Sequence, residues 1–213
     1  MERREYVIWA IIAFMFVSGA YLYPAMPETM ATHWDADGNV NGYSSRTVGV
    51  FLIPVLTIGI YLLFKAIPHI AVYKKNIESF KEYYFYLVAG VVIFLSAVQG
   101  ASLAANLGYQ FNMTYIIMPL MGLFLFGIGT ILEKTKRNFF IGIRTPWTLS
   151  SDAVWDKTHR LGGKVFKMIG VLALVSMIVP GSLLFFIIAV FAGIMYLVVY
   201  SYVEYQKEEK DKR

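Results

Sequence analysis

Cysteine is absent from the 213-residue chain, and charged residues are scarce. Without a thiol the chain has no disulfide, no thiolate metal site and no cysteine nucleophile. Only 15% of its residues are charged and 58% are hydrophobic, whereas a soluble domain has roughly 25% charged and about 45–50% apolar residues. This composition excludes an ordinary soluble core and is typical of a membrane protein.

Long apolar runs account for most of the chain. A helix needs about 20 mostly apolar residues to cross the hydrocarbon of a bilayer. Six runs predict such helices, at residues 6–23, 47–67, 84–105, 114–132, 166–179 and 182–202. The first run is too long for the apolar part of a cleaved signal peptide, so it predicts an uncleaved anchor. The predicted fold class is all-α, a polytopic membrane protein with six transmembrane helices.

The positive residues are distributed very unevenly over this topology. If the N-terminus is cytoplasmic, 18 of the 19 Lys and Arg residues lie on the cytoplasmic side, and Arg46 alone lies outside. Because positive residues accumulate in cytoplasmic loops, both termini are predicted to be cytoplasmic. A tight outer turn is then expected at Pro180 and Gly181. The net charge of +5 follows from topology, so no direct nucleic-acid binding is predicted.

Ionisable residues are missing from the middle of the six runs. Ion-coupled transporters and proton pumps place such residues at mid-depth, so this class of protein is disfavoured. The third run does carry polar residues on one helical face, namely Ser96, Gln99, Ser102 and Asn106. Hydrogen bonding between helices is the favoured interpretation of this face, and a polar conduit is the alternative.

The first loop, residues 24–46, is rich in polar and turn-forming residues. Its DADGNVNGY stretch favours tight turns. Asp37, Asn39, Asn41 and Gly42 match the first half of an EF-hand, but the twelfth position is Val48 instead of the required Glu. One His with two carboxylates is also a weak metal signal. No metal or other cofactor is therefore predicted.

The same loop is the predicted outer binding surface. Its carboxylates would attract cationic ligands, and its aromatic residues are typical of a membrane interface. The candidate ligand-contact residues are His33, Trp34, Asp35, Asp37, Asn39 and Tyr43.

The signature segment, residues 138–166, reads NFFIGIRTPWTLSSDAVWDKTHRLGGKVF and separates two apolar runs. Pro146 disfavours helix at the preceding residue, so the FFIGIRTPW part is expected to be extended or turned and to lie on the lipid surface. Ser150 or Ser151 is predicted to cap a helix that has Asp152 in its first turn. This helix is expected to reach about Arg160 and to end at the glycine pair 162–163.

Two interpretations of the helix in this segment compete. Asp152, Asp156 and His159 lie on one side and would form the catalytic or metal cluster of a hydrolase. Helix capping, an ion pair between Asp156 and Arg160 and an interfacial Trp155 account for the same residues without chemistry. No serine elbow, HExxH motif or glycine-rich phosphate loop accompanies them. The second interpretation is favoured, and the chain is not predicted to be an enzyme.

The signature segment is longer than the roughly 2–8 residues that usually join two helices. Its cations and aromatic residues are the types enriched at protein interfaces, so docking of a cytoplasmic partner is weighed against pure membrane anchoring. The candidate partner-contact residues are Arg144, Trp147, Asp152, Trp155, His159 and Arg160.

The first loop and the signature segment together resemble the SdpI immunity-protein family. The more specific motifs are GIRTPWTLSS and the run from Trp155 to Lys164 that reads WDKTHRLGGK. The resemblance implies an N-terminal membrane domain of unknown function at residues 1–110, which includes the first loop. It also implies a C-terminal immunity module at residues 111–213, with an inner loop at 133–165.

The same resemblance implies a function. It predicts a multi-pass cell-membrane protein, surrounded by lipids, that protects against a secreted peptide toxin of the sporulation-delaying-protein type. It further implies a helix-turn-helix repressor held at the membrane. A small-solute permease or channel on the same scaffold is the alternative function, and a membrane hydrolase is a third.

Overall fold

The computed structural model describes residues 4–176 and 182–212, most of which are helical. The elements are, in chain order, α1 (Glu5–Leu22), a 3-10 turn (Tyr23–Ala25), β1 (Thr29–Trp34), β2 (Val40–Ser45), α2 (Arg46–Ile70), α3 (Lys74–Ser79), α4 (Lys81–Asn106), α5 (Met113–Leu132), α6 (Pro146–Ser150), α7 (Asp152–Val175) and α8 (Ser182–Asp211). The all-α prediction is therefore incomplete, because β1 and β2 form an antiparallel hairpin within the first loop.

Within the described part of the chain, five helices are long and apolar enough to cross a membrane. They are α1 with its 3-10 turn, α2, α4, α5 and α8. Residues 166–175 of the predicted run 166–179 are the last part of the longer helix α7, which is not among the five. Residues 177–179 and the expected turn at Pro180 and Gly181 lie outside the described residues. The sixth crossing and the orientation of the termini stay predictions.

Contacts divide the chain into two compact units that alternate along the sequence. Unit 1 comprises Met1–Leu63 with Val88–Met121, and unit 2 comprises Phe64–Leu87 with Gly122–Arg213. This is a different division from the predicted boundary near residue 110, which stays a prediction. Each unit contains one of the two segments that the sequence singled out.

In unit 1 the polar face of α4 bonds to other elements. The Gln99 side-chain amide donates to the backbone oxygen of Met15 on α1 over 3.0 Å. Asn106, two turns further on, bonds to Ala31 on β1. A helix whose amides reach neighbouring elements is held by directional bonds as well as by packing. The bond from Gln99 to Met15 joins two helices, as the favoured interpretation of this face as a site of interhelical hydrogen bonding requires.

The turn of the hairpin is built by one carboxylate. The Asp35 Oδ1 atom accepts from the backbone N–H of Asp37 over 3.0 Å and from that of Asn39 over 2.8 Å. Gly38 has a φ of +84°, a left-handed conformation that side chains disfavour. The DADGN sequence therefore makes a closed turn, as its composition predicted.

In unit 2, helices α5 and α7 approach at glycines spaced seven residues apart on each helix. Gly122 faces Gly170, and Gly129 faces Gly163, so the helices run antiparallel. Only glycine allows two backbones to come this close. The prediction that the glycine pair 162–163 ends the helix is wrong, because α7 continues through it to Val175.

The short helix α3 is attached to the start of the signature segment. The Asn76 side chain donates to the backbone oxygen of Arg137 over 2.7 Å. The ring of Tyr73 stacks on Phe139, with 5.3 Å between centroids. The Arg137 guanidinium carbon lies 5.3 Å from the centroid of the Tyr73 ring. These contacts fix the entry into the segment.

Candidate functional site

The hairpin of the first loop is fixed to unit 1 at three positions along its length. Asn106 forms two hydrogen bonds with Ala31, donating to its oxygen and accepting from its N–H. At the turn, the Asn112 amide donates to the oxygen of Asp37 over 2.7 Å. The Thr114 hydroxyl donates to the oxygen of Ala36 over 3.2 Å. The loop is thus a folded element that presents a defined surface.

The six predicted contact residues of this loop fall into two groups. The Asp35 carboxylate is committed to its turn, and Trp34 is half-buried. The other members have exposed side chains, and they are His33, which is bonded to Asn41, and Asp37, Asn39 and Tyr43. A ligand approaching from solvent therefore meets the second group first.

In the signature segment, two predicted contact residues are in the core of unit 2. Trp155 is completely buried and His159 is 1% exposed. Their rings stack with centroids 3.9 Å apart, and the Trp155 Nε1–H donates to the oxygen of Thr135 over 3.1 Å. The prediction that these two residues touch a partner is wrong for this structure, because the protein's own side chains cover them.

The hydrogen bonds of His159 define its protonation. Its Nε2 accepts from the backbone N–H of Ile143 over 2.9 Å, so the proton of the neutral ring is on Nδ1, which donates to the oxygen of Trp155. Burial lowers the pKa of His159 to about 4. The ring is thus neutral near pH 7 and serves to hold the GIRTPW loop on α7. Gly142, with φ +120°, leaves the space that the ring occupies.

The carboxylates of α7 form ion pairs with cations of the 133–137 turn. Asp152 lies 2.8 Å from Arg137, and Asp156 lies 3.2 Å from Lys136. The predicted ion pair of Asp156 with Arg160 is replaced by the pair with Lys136, because the 133–137 turn passes beside α7. The arrangement is that of surface ion pairs, which contribute little to stability. It does not bring the three residues together as a catalytic cluster.

The remaining predicted residues lie at the surface of unit 2. Arg144 and Arg160 are exposed, and Trp147 is half-buried against Tyr202, with 5.0 Å between ring centroids. The expectation of an extended or turned FFIGIRTPW stretch holds up to Thr145, which is extended at φ −101°, and fails after it, because Pro146 starts helix α6. Ser151 caps α7, as predicted, by accepting from the N–H of Val154.

Sequence reasoning missed two residues that organise this segment. The buried side chain of Asn138 makes four hydrogen bonds to the backbone of residues 136–141 and so shapes the first bend. Glu204 on α8 is 7% exposed and binds both Lys157 and Lys207. A polar residue within an aromatic run was the available signal for Asn138. Glu204 had none, since a charged residue just after an apolar run is common at the end of a membrane helix.

Among residues 4–176 and 182–212, no three His, Asp or Glu side chains are grouped as metal ligands. The structure thus points to two protein surfaces. One is the hairpin with Asp37, Asn39 and Tyr43, and the other is the exposed side of the signature segment with Arg144 and Arg160.

Comparisons with known proteins match both halves of the chain. The SdpI/YfhL protein family matches residues 134–201, and a domain of unknown function, DUF1648, matches residues 10–58. The Immunity protein SdpI of Bacillus subtilis (strain 168) is 28% identical over 207 residues, which cover 96% of this chain and 97% of that protein. No solved structure matches the chain.

The similarity to the Immunity protein SdpI and the five apolar helices establish a multi-pass protein of the cell membrane. The two family matches lie in the order that the two motifs predicted, one around the first loop and one over the signature segment. The similarity to the relative also runs through both. Residues 134–201 of the chain belong to the SdpI/YfhL protein family.

Proposed function

We propose that this protein is an immunity protein, which protects the cell that carries it against a secreted peptide toxin. The observation that carries the proposal is the similarity over almost the whole chain to a protein named as an immunity protein. A relative that shared one domain alone would support only a common membrane scaffold.

The structure supports binding of a peptide at the first loop. The hairpin is held in place by bonds from Asn106, Asn112 and Thr114, so its exposed groups are preorganised. The loop contains three acids, Glu28, Asp35 and Asp37, against Arg46. Its negative balance favours the approach of a cationic ligand.

The experiment is a survival assay. The gene is expressed in a host that lacks its own immunity protein, and the cells are exposed to the sporulation-delaying-protein toxin. We expect survival that depends on the protein. The vector alone and a host that makes an unrelated multi-pass protein are the controls. If the toxin kills the host with this protein and the two control hosts at the same concentration, while the protein is present in the membrane, the immunity function is excluded.

A double variant then tests the surface. Asp37→Ala with Asn39→Ala removes two exposed side chains and keeps the Asp35 carboxylate with its two bonds to the turn backbone, while the long 3.5 Å bond from the Asn39 amide is lost. We expect weaker protection at an unchanged protein level. The matched control is Gln110→Ala, which removes an exposed amide from the α4–α5 connection. Equal protection by the wild type, the double variant and Gln110→Ala would remove this surface from the proposal.

We further propose that the exposed cations of the signature segment, Arg144 and Arg160, contact a cytoplasmic helix-turn-helix repressor. Trp155 and His159 would act only indirectly, by fixing the loop that carries Arg144. Arg144→Ala with Arg160→Ala should abolish membrane recruitment of a fluorescent candidate repressor and leave protection intact. Lys210→Ala, which removes an exposed cation at the end of α8, is the control. Recruitment by the double variant at the level of the control would contradict the contact.

A further inference from the structure

The hairpin of the first loop is a two-stranded sheet, so it has two edges, and one of them is closed. Asn106 closes the edge of β1, because its side-chain amide accepts from the N–H of Ala31 over 2.8 Å and donates to the oxygen of Ala31 over 2.9 Å. These two bonds reproduce what a neighbouring strand would supply. The question is what completes the edge of β2.

The register shows which backbone groups lie on the edge of β2. Ala31 is paired with Tyr43. Since the N–H and oxygen of Ala31 point away from β2, this is a non-hydrogen-bonded pair, and the N–H and oxygen of Tyr43 point away from β1. The bond from the Arg46 N–H to the oxygen of Glu28, over 2.9 Å, fits the same alternation.

Tyr43 is accessible on this edge. Its side chain is 64% exposed, and among residues 4–176 and 182–212 no side chain bonds its outward N–H or oxygen. The register shifts of the hairpin lie between Ala31 and Trp34, toward the turn. The pairing from Thr29 to Ala31, opposite Tyr43 to Ser45, is regular.

The sequence of β2 does not protect this edge. Natural sheets block exposed edges with Lys or other charged residues, or with Pro. Strand β2 reads VNGYSS and has none of them. The neighbouring acids give the first loop a net charge of −2, from Glu28, Asp35, Asp37 and Arg46. An extended segment that is cationic or neutral and contains no proline therefore fits best.

We propose that the free edge of β2 at Tyr43 binds an extended segment of the peptide toxin by strand addition. The Tyr43 N–H donates to the peptide backbone and its oxygen accepts from it, as in other sheets that take up a peptide strand. This inference rests on the proposed immunity function and names the contact by which the toxin is recognised.

The test uses Tyr43→Pro, which removes the outward N–H and leaves the bonds between β1 and β2 in place, since proline is tolerated at strand edges. Tyr43→Ala is the matched control, because it removes the ring and keeps the N–H. Both are compared with the wild type in the survival assay with the sporulation-delaying-protein toxin. We expect Tyr43→Pro to reduce the half-killing toxin concentration about tenfold, more than Tyr43→Ala does.

Protection by Tyr43→Pro equal to that by Tyr43→Ala would overturn the inference and leave the proposed function standing. Absence of protection by the wild type itself would instead remove the function. If the proline variant does not reach the membrane, hydrogen exchange on the wild-type protein in lipid nanodiscs decides. We expect the amides of Val40–Ser45 to exchange more slowly when the toxin is added, and unchanged exchange would overturn strand addition.

A second copy of the chain is the competing occupant of the edge. The protein has no cysteine, so Tyr43→Cys provides a clean probe. We expect no intermolecular disulfide under mild oxidation in the absence of toxin. Rapid formation of a disulfide-linked dimer would overturn the proposal in favour of pairing between two copies.

Discussion

A Cβ atom on Gly129 would lie 2.6 Å from the backbone oxygen of Gly163, and one on Gly163 would lie 2.7 Å from the oxygen of Gly129. Each glycine therefore makes room for the backbone of the other. Because a backbone cannot rotate out of the way, Gly129→Ala must separate α5 from α7. We expect it to lower the free energy of unfolding by about 1–3 kcal/mol, measured by reversible unfolding in mixed micelles.

The control for this prediction lies on the same helix. A Cβ on Gly127 would meet nothing within 4 Å, so Gly127→Ala should be neutral or stabilising by up to about 1 kcal/mol through helix propensity. Equal effects of the two substitutions would show that the approach of α5 to α7 is not tight in the membrane.

The stability of unit 2 should depend on pH through His159. Burial lowers its pKa from the ordinary 6.5 to about 4. Between these values the unfolded chain binds a proton that the folded protein excludes, so stability is full above about pH 6.5 and falls as the pH is lowered. The shift corresponds to about 3 kcal/mol at pH 4. Unfolding measured at pH 7, 6, 5 and 4 checks this.

Two variants separate this histidine from other titrating groups. His159→Gln should reduce stability at pH 7, since the ring that stacks on Trp155 is lost, and should flatten the profile between pH 6.5 and 4. His69→Gln, which changes an exposed histidine, is the matched control. A profile that keeps its slope in His159→Gln would contradict the assignment.

The membrane helices were predictable from sequence because their signal is simple. Apolar runs of sufficient length mark both ends of α1, α2, α4 and α5 to within about three residues. The hairpin was not predicted, since its strands lack the alternation of apolar and polar residues that marks a half-buried strand. β1 is held instead by bonds to Asn106, 75 residues later in the chain, which no local pattern reveals.

The signature segment shows the opposite error. Trp155 and His159 were read as surface residues because Trp and His are common at interfaces, yet both are core residues. Their burial depends on the loop at 141–145 folding back over α7, and this contact is long-range. Gly162 and Gly163 were predicted to end the helix because their packing against other parts of the chain is also a long-range contact, which the local sequence does not show. Glycine ends an isolated helix but is favoured where another helix lies against it.

Asn106 should be essential for the position of the hairpin. Asn106→Ala removes both bonds to Ala31 and leaves its N–H and oxygen without partners. We expect faster hydrogen exchange of the amides of Thr29–Trp34 and weaker protection against toxin. Asn106→Asp keeps one acceptor and loses the donor, so it should have an intermediate effect.

Gln110→Ala is the control for this series, because it changes an exposed amide in the following connection. It should leave exchange in β1 at the wild-type rate. Wild-type exchange in Asn106→Ala would show that packing of Met26 and Met30, and not the amide, holds the hairpin.

The orientation in the membrane can be read with single cysteines in a chain that has none. Ala36 and Ala153 are exposed, and three candidate spans, α2, α4 and α5, separate them. An odd number of crossings puts them on opposite sides, and the positive residues place Ala153 inside. An impermeant maleimide should label Ala36→Cys in intact cells and Ala153→Cys only after permeabilisation. The reverse pattern would invert the topology.

A third cysteine, Lys210→Cys, decides between five and six crossings. At the end of α8, Glu208 accepts a hydrogen bond from Ser151, and Glu204 lies 2.8 Å from Lys157. Groups in contact lie on the same side of a bilayer, yet α8 crosses it once. We therefore expect a further crossing between Asp152 and Ser182, where the sequence predicts that the run 166–179 spans. We expect Lys210→Cys to be labelled only after permeabilisation, as Ala153→Cys is. Labelling of Lys210→Cys in intact cells, with Ala153→Cys protected, would mean that this run does not cross and that the contacts of α7 with α8 do not form in the membrane.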